Sequence, residues 1–191
     1  MIGIEMNCFN LKSIVILLIF LFVYIPSVKA ETVMEYMQSG NDDFKQGNLD
    51  QAIFEFTKAI DINPKLAKAY NNRGVAYAQE GSLTRAINDF TMAIADNVND
   101  AEAYNNRGHA YAQQGNFDQA LHDYTKAIDI NGIYVKAYNN REIIYYQMKQ
   151  YDKAWADVDK VKKIGGRTDP KFIELLKTVS VTTPSAQQEI H

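Results

Sequence analysis

Between residues 67 and 100 the apolar and small side chains fall on two helical faces. Tyr70, Gly74 and Tyr77 recur at the spacing of one helix, and Ala86, Phe90, Ala93 and Ile94 at that of a second. Gly81 and Ser82 lie between them. A glycine there takes the left-handed conformation that ends the first helix, and a serine is suited to capping the free N–H groups of the next. Small Gly74 and Ala86 let the two helices approach closely. The pattern then returns: Ala67-Lys68-Ala69-Tyr70-Asn71-Asn72-Arg73-Gly74 reappears further along as Ala101-Glu102-Ala103-Tyr104-Asn105-Asn106-Arg107-Gly108. A further copy begins Val135-Lys136-Ala137-Tyr138-Asn139-Asn140-Arg141. A weaker one comes first, with Tyr36, Gly40, Gly47, Ala52, Phe56, Ala59 and Pro64. Residues 67–100 and 101–134 agree at 18 of 34 positions. A fixed period of this length predicts stacked helical hairpins, with Gly47-Asn48 and Gly115-Asn116 as further turns.

These residues resemble the tetratricopeptide repeat family, whose pattern has an aromatic at position 4, glycine at 8, an aromatic at 11, alanine at 20, an aromatic at 24, alanine at 27 and often proline at 32. The resemblance implies an all-α, right-handed α-solenoid of four helix-turn-helix repeats, 33–66, 67–100, 101–134 and 135–168. Asp169–Val179 would form a C-terminal capping helix started by Pro170. Phe172, Leu175 and Leu176 are expected to cover the last open face, and residues 180–191 to form a polar tail. The fourth copy departs from the pattern: Glu142 replaces the small residue at position 8 and Lys149 the turn glycine. A non-glycine residue held left-handed costs about 1–2 kcal/mol, so this hairpin is expected to be the loosest or to turn differently.

Residues 1–30 stand apart from the repeats. Residues 13–25, SIVILLIFLFVYI, are apolar, follow Lys12 and precede Pro26-Ser27-Val28-Lys29-Ala30. That run is shorter than the ~20 residues a membrane-spanning helix needs. Small Val28 and Ala30 suit a signal peptidase. The expectation is a cleavable signal peptide, residues 1–30, cut before Glu31, and a secreted or periplasmic protein; an uncleaved anchor is the alternative. Cleavage removes Glu5, Lys12 and Lys29, taking the formal charge from −3 to −4. It also removes Cys8, the single cysteine. Without a basic excess, nucleic-acid binding is not expected. Once the signal is gone, nor is membrane association.

Catalysis finds no foothold in the letters. The chain has no phosphate-binding glycine loop, no paired zinc histidines and no serine-centred elbow. His109 falls on the concave face that the resemblance implies, and His122 sits beside Asp123 on a second helix. A non-enzymatic protein with no metal and no cofactor is expected. Arg73, Arg107 and Arg141 are each followed at one constant spacing by an aspartate, Asp89, Asp123 and Asp157. Across a hairpin that spacing predicts a bidentate ion pair within the repeat. The first copy has Ser39 and Glu55 instead.

Asn71-Asn72, Asn105-Asn106 and Asn139-Asn140 occupy helix interiors, where asparagine is unfavourable. The resemblance places positions 2, 5, 6, 9, 12 and 13 on a concave surface. There an amide offers donor and acceptor to an extended peptide. Asn72, Asn106 and Asn140 are the first candidates for a peptide-binding ladder, with Asn71, Asn105 and Asn139 beside them. Gln79, Gln113 and Gln147 would form a parallel row. His109 varies at position 9, between Val75 and Ile143, and could read side chains. Phe44 and Tyr146 would supply apolar contacts at the two ends. The same asparagines equally suit caps or bridges between helices. A five-residue clamp for chaperone tails, known in the family, is not matched: reading from the first repeat gives Met37, Asn41, Asn72, Glu102 and Asn106, and from the second Asn71, Val75, Asn106, Lys136 and Asn140, with most of the cations absent.

The reading is a non-catalytic protein–protein interaction module that holds a polypeptide segment in its groove and scaffolds a complex outside the cytoplasm. It would be a monomer or weak homo-oligomer. The alternatives are a self-associating structural subunit and, with the N-terminal helix retained, a membrane-tethered assembly factor. Intact mass spectrometry of the exported protein should place its first residue at Glu31; a retained Met1 or Met6 start would indicate the anchor.

Overall fold

The computed structural model describes residues 25–180. The apolar run up to residue 24 and the tail from 181 lie outside the described residues. Among those described, the chain forms nine helices and no strand. They are α1 (Ile25–Gln46), α2 (Leu49–Ile62), α3 (Ala67–Glu80), α4 (Leu83–Asp96), α5 (Ala101–Gln113), α6 (Phe117–Ile130), α7 (Val135–Gln147), α8 (Tyr151–Lys163) and α9 (Pro170–Ser180). The repeat bounds read from the sequence enclose the pairs α1/α2, α3/α4, α5/α6 and α7/α8, although α1 begins upstream of residue 33. Each helix packs on the next. The first helices α1, α3, α5 and α7 also touch one another in order, which puts them on the inner side of an all-α solenoid.

One contact closes each of the first three hairpins. The rings of Phe56, Phe90 and Tyr124, all 1% exposed, lie against Gly40, Gly74 and Gly108. A Cβ on those glycines would come within 2.7, 2.7 and 2.9 Å of the ring. No larger residue fits while the ring keeps its place. In the fourth repeat both partners change together: Glu142 takes the glycine position and the smaller Val158 replaces the ring. The volume is conserved by exchanging sides, which explains how the hairpin tolerates a residue that breaks the pattern.

The turns are built from backbone. Gly81 has φ 90°; its N–H donates to the Ala78 carbonyl at 3.1 Å, and the Ser82 N–H to that of Tyr77 at 2.8 Å. This is the helix-ending pair of bonds that a left-handed residue permits. The fourth turn makes the same two bonds, Lys149 to Tyr146 at 2.9 Å and Gln150 to Tyr145 at 2.8 Å. Lys149 therefore holds φ 58° without being glycine. Side-chain capping by Ser82, expected from the sequence, does not occur, and neither Asn48 nor Asn116 caps its helix. Their ψ values of 60–68° fall short of the extended backbone that carries a capping oxygen to the next turn. Asp100, at ψ 92°, does cap α5, accepting from the N–H groups of Glu102 and Ala103. Asn63, Asn97 and Asn131 each accept from the backbone N–H two residues on, at 3.2 Å, shaping the connection to the following repeat.

Capping helix α9 closes the last repeat with Leu176, fully buried against Ala154 and Val158, and with Phe172, Ile173 and Val179 half-buried around it. Leu175, expected to share this duty, is 45% exposed. The stripe through residues 172, 176 and 179 is centred on Leu176, and Leu175 turns to its flank.

Two substitutions check these assignments in opposite directions. Gly74→Ala forces the Phe90 ring to move and should destabilise the domain by about 1–3 kcal/mol in urea unfolding. Lys149→Gly relieves the left-handed strain and should stabilise it by about 1 kcal/mol.

Candidate functional site: the inner face of the solenoid

The repeated polar residues of the inner and interhelical faces fall into three overlapping sets, and the third borders a cleft across the first helices. The first set lies between helices. Arg73 donates from Nε and Nη2 to the two oxygens of Asp89 at 2.8 and 2.9 Å. Arg107 does the same to Asp123 at 2.7 and 2.9 Å, and Arg141 to Asp157 at 2.9 and 2.7 Å. The bidentate pairs expected from the constant arginine–aspartate spacing are therefore present. A third contact went unnoticed in the sequence. Nη1 of each arginine donates to a threonine of the preceding repeat, Thr57 at 2.9 Å, Thr91 at 3.1 Å and Thr125 at 3.0 Å. Each arginine thus ties the second helix of its own repeat to that of the one before. Tyrosines Tyr70, Tyr104 and Tyr138, within 5.5–5.6 Å, cover the guanidinium groups. The recurrence of Thr57, Thr91 and Thr125 at the repeat period was the signal available.

Asparagines make the second set, and here the expectation changes. Asn106 Nδ2 donates to Asn71 Oδ1 at 3.1 Å, and Asn140 Nδ2 to Asn105 Oδ1 at 2.8 Å. Asn72 Nδ2 donates at 2.8 Å to Asn41, since the first repeat has methionine at position 5. Each position-6 amide therefore bridges to the preceding repeat. Asn71 is 6% exposed and does not border the cleft, and Asn105 is fully buried, reaching the cleft only at its base. Asn139 turns to the C-terminal linker, donating to the Arg167 carbonyl at 2.9 Å and accepting from Thr168 Oγ1 at 3.2 Å. These bonds explain six asparagines in helix interiors. Buried amides that lack such partners would cost about 1–3 kcal/mol each.

The third set borders a cleft of about 300 Å³ that crosses three repeats. Val75, Ala78 and Gln79 enter from α3, Asn106, His109 and Gln113 from α5, and Lys136 and Asn140 from α7; Phe90 and Asn105 lie at its base. Asn106 and Asn140 keep a side toward the cleft although their Nδ2 groups are engaged. The wall contains one cation, Lys136, and no acidic residue. Partial desolvation against the cleft wall, reinforced by the Lys136 charge, lowers the pKa of the otherwise exposed His109 below its ordinary value, so the imidazole is neutral near pH 7. Lys136 stands at position 2, which the resemblance places on the concave surface.

Several expected residues are elsewhere. Gln147 is exposed at the end of α7, and neither it nor Asn72 borders the cleft. Tyr146 packs between Tyr151 and Phe172, each ring centroid 5.7 Å away, and so supports the capping helix rather than the groove. His122 approaches Asp123 at 3.2 Å, beside a carboxylate that Arg107 already engages. Among the described residues no group of acidic, histidine or cysteine side chains is placed to hold a metal ion.

Asn105→Ala would leave the Asn140 amide without its acceptor and should cost about 1–3 kcal/mol in chemical denaturation. Gln113→Ala, at the open rim, should change stability by no more than about 0.5 kcal/mol.

Comparison with known proteins agrees with this architecture. The family described as tetratricopeptide repeat matches residues 101–132, and that described as TPR repeat matches 40–81 and 76–115. Among solved structures, the MamA protein is 26% identical, with 71% of this chain and 74% of that one aligned at a TM-score of 0.65. The first TPR domain of Spaghetti (RPAP3), bound to the HSP90 peptide SRMEEVD, is 28% identical over 62% of this chain and 94% of its own, at 0.61. PilF of Pseudomonas aeruginosa shares the fold at 24% identity, over 71% of this chain and 62% of its own, at 0.66. The four hairpins, their glycine–aromatic contacts and these matches place the chain in the tetratricopeptide repeat family, a scaffold for protein–protein interaction.

Proposed function

We propose that this protein captures an extended segment of a partner polypeptide in the cleft between α3, α5 and α7, and thereby helps assemble a complex outside the cytoplasm. The observation that carries the reading is the sign of the wall. It has one cation, a neutral imidazole, amides and no carboxylate, so an acidic residue in the partner meets the attraction of Lys136 and no like charge. Gln79 and Gln113 are exposed along the rim and have amides suited to a peptide backbone. Val75 and Ala78 supply an apolar stretch beside them. The peptide in the RPAP3 structure, SRMEEVD, is itself acidic. Export rests on the apolar run and small residues ahead of Glu31.

With few direct hydrogen bonds worth about 0.5–1.5 kcal/mol each, affinity should be modest, around micromolar. Because Asn72, Asn106 and Asn140 also join repeats, replacing them would confuse stability with binding. Lys136 and His109 are exposed and make a cleaner test.

End-to-end self-association is the rival reading. The buried Leu176 shows that α9 already covers the C-terminal face, which removes one of the two surfaces such stacking would use.

Selection of displayed random peptides against the purified domain should enrich acidic sequences. Lys136→Glu should weaken a selected peptide about tenfold, about 1.4 kcal/mol, without loss of helicity. Binding should strengthen as pH falls below about 6.5, since protonating His109 adds a second positive charge facing the acid. Affinity indifferent to Lys136 and to pH would contradict the reading.

A further inference from the structure

The fourth repeat buries a carboxyl group where the three before it have glycine. Glu142 is 1% exposed. Its neighbour Arg141 engages Asp157 through two nitrogens and Thr125 of α6 through the third. The charge acting on Glu142 from the packed helices is that of Asp157 on α8, which repels it. From the linker between α8 and α9 the Thr168 side chain reaches Glu142. Its Oγ1 lies 3.4 Å from Glu142 Oε2 and 3.2 Å from Asn139 Oδ1.

Counting hydrogens settles which protonation state fits. Asn139 donates from Nδ2 to the Arg167 carbonyl, so its Oδ1 faces Thr168 as an acceptor. An ionised Glu142 is an acceptor too, and the Thr168 hydroxyl has one proton for both. With Glu142 neutral every contact closes. The Glu142 O–H donates to Thr168 Oγ1, the Thr168 O–H to Asn139 Oδ1, and the Asn139 N–H to the Arg167 carbonyl. Burial first, then Asp157, pushes the Glu142 pKa up to about 8 against the opposing Thr168 contact.

This chain of bonds fastens the segment that leads into α9. At the second and third joints the position-5 asparagine accepts from the next repeat's asparagine; at the last, Thr168 takes the donor's place. The linker lies tightly on α7, with room for no side chain at Gly166, where a Cβ would come within 2.6 Å of Val135. We infer that the Glu142 proton is the latch that fastens the capping helix to the last repeat, so that mildly alkaline conditions loosen α9 and uncover the terminal face. The sign follows from linkage: a folded-state pKa raised from 4.5 to about 8 gives stability that is complete below 4.5 and lost as pH rises through about 8.

The chain's one tryptophan, Trp155, packs in the cluster that Leu176 closes, and it reports the docking of α9. The test follows Trp155 emission and hydrogen-exchange protection of residues 170–179 in the whole protein, between about pH 6 and about pH 9.5. The wild type should lose protection at least about tenfold, with an emission shift centred near pH 8. Glu142→Gln should hold α9 equally at every pH, because its amide supplies the N–H that the ionised acid lacks. Thr168→Val should loosen α9 already at the acidic end. A wild type unchanged up to pH 9.5, or the same pH-dependent loss in Glu142→Gln, would overturn the latch. Should Glu142→Gln lose helicity, the carboxyl carbon shift of Glu142 in the wild type decides: a midpoint near 8 supports the latch, and one near the ordinary 4.5 overturns it.

Discussion

A single helical hairpin cannot bury both faces of its own helices, so the molecule depends on how each hairpin is fastened to the next. Two fastenings recur at each internal joint, on opposite sides of the stack. Toward the second helices, an arginine held by its own repeat's aspartate reaches back to a threonine of the repeat before. Toward the first helices, an asparagine reaches back to the preceding asparagine. Glycine–aromatic packing closes each of the first three hairpins internally. Because every polar group of this framework has a partner inside it, what remains on the inner face is free of structural duty: His109, Gln79, Gln113 and Lys136.

Most of the fold was legible because it is carried by position-specific steric demands. A glycine opposite an aromatic ring, a turn glycine and an alanine stripe leave their mark on single residues, and the fixed repeat period multiplies that mark. The bidentate pairs of Arg73, Arg107 and Arg141 were legible for the same reason. The amides were not. An asparagine offers donor and acceptor to a peptide and to another asparagine alike, and only the distance between adjacent first helices decides which it meets. At 2.8–3.1 Å the neighbour wins. The capping roles assigned to serine and asparagine failed on ψ, a quantity that residue type does not determine. Tyr146 fits either groove or cap by composition, and the nearness of Phe172 assigns it to the cap.

The fourth repeat shows how an array of this kind stops. Its threonine position holds Asp159 rather than an acceptor for another arginine, and its position-5 asparagine is engaged by Thr168. Glu142 and Val158 exchange volumes, the turn accepts Lys149, and Leu176 seals the apolar end. These departures read in the letters as decay of the pattern. In space they form a terminus, one that holds a carboxylic acid in its neutral form beneath the linker to α9.

The account's central claim is that the inner-face asparagines hold the solenoid together while the residues beside them receive the partner. Side-chain amide and imidazole resonances, recorded while an acidic peptide is added, test both halves at once. The account predicts that the Nδ2 signals of Asn72, Asn106 and Asn140 are protected from solvent exchange before the peptide is present and stay so, while His109 and Gln113 shift. Rapidly exchanging asparagine amides that become protected only when peptide binds would contradict it.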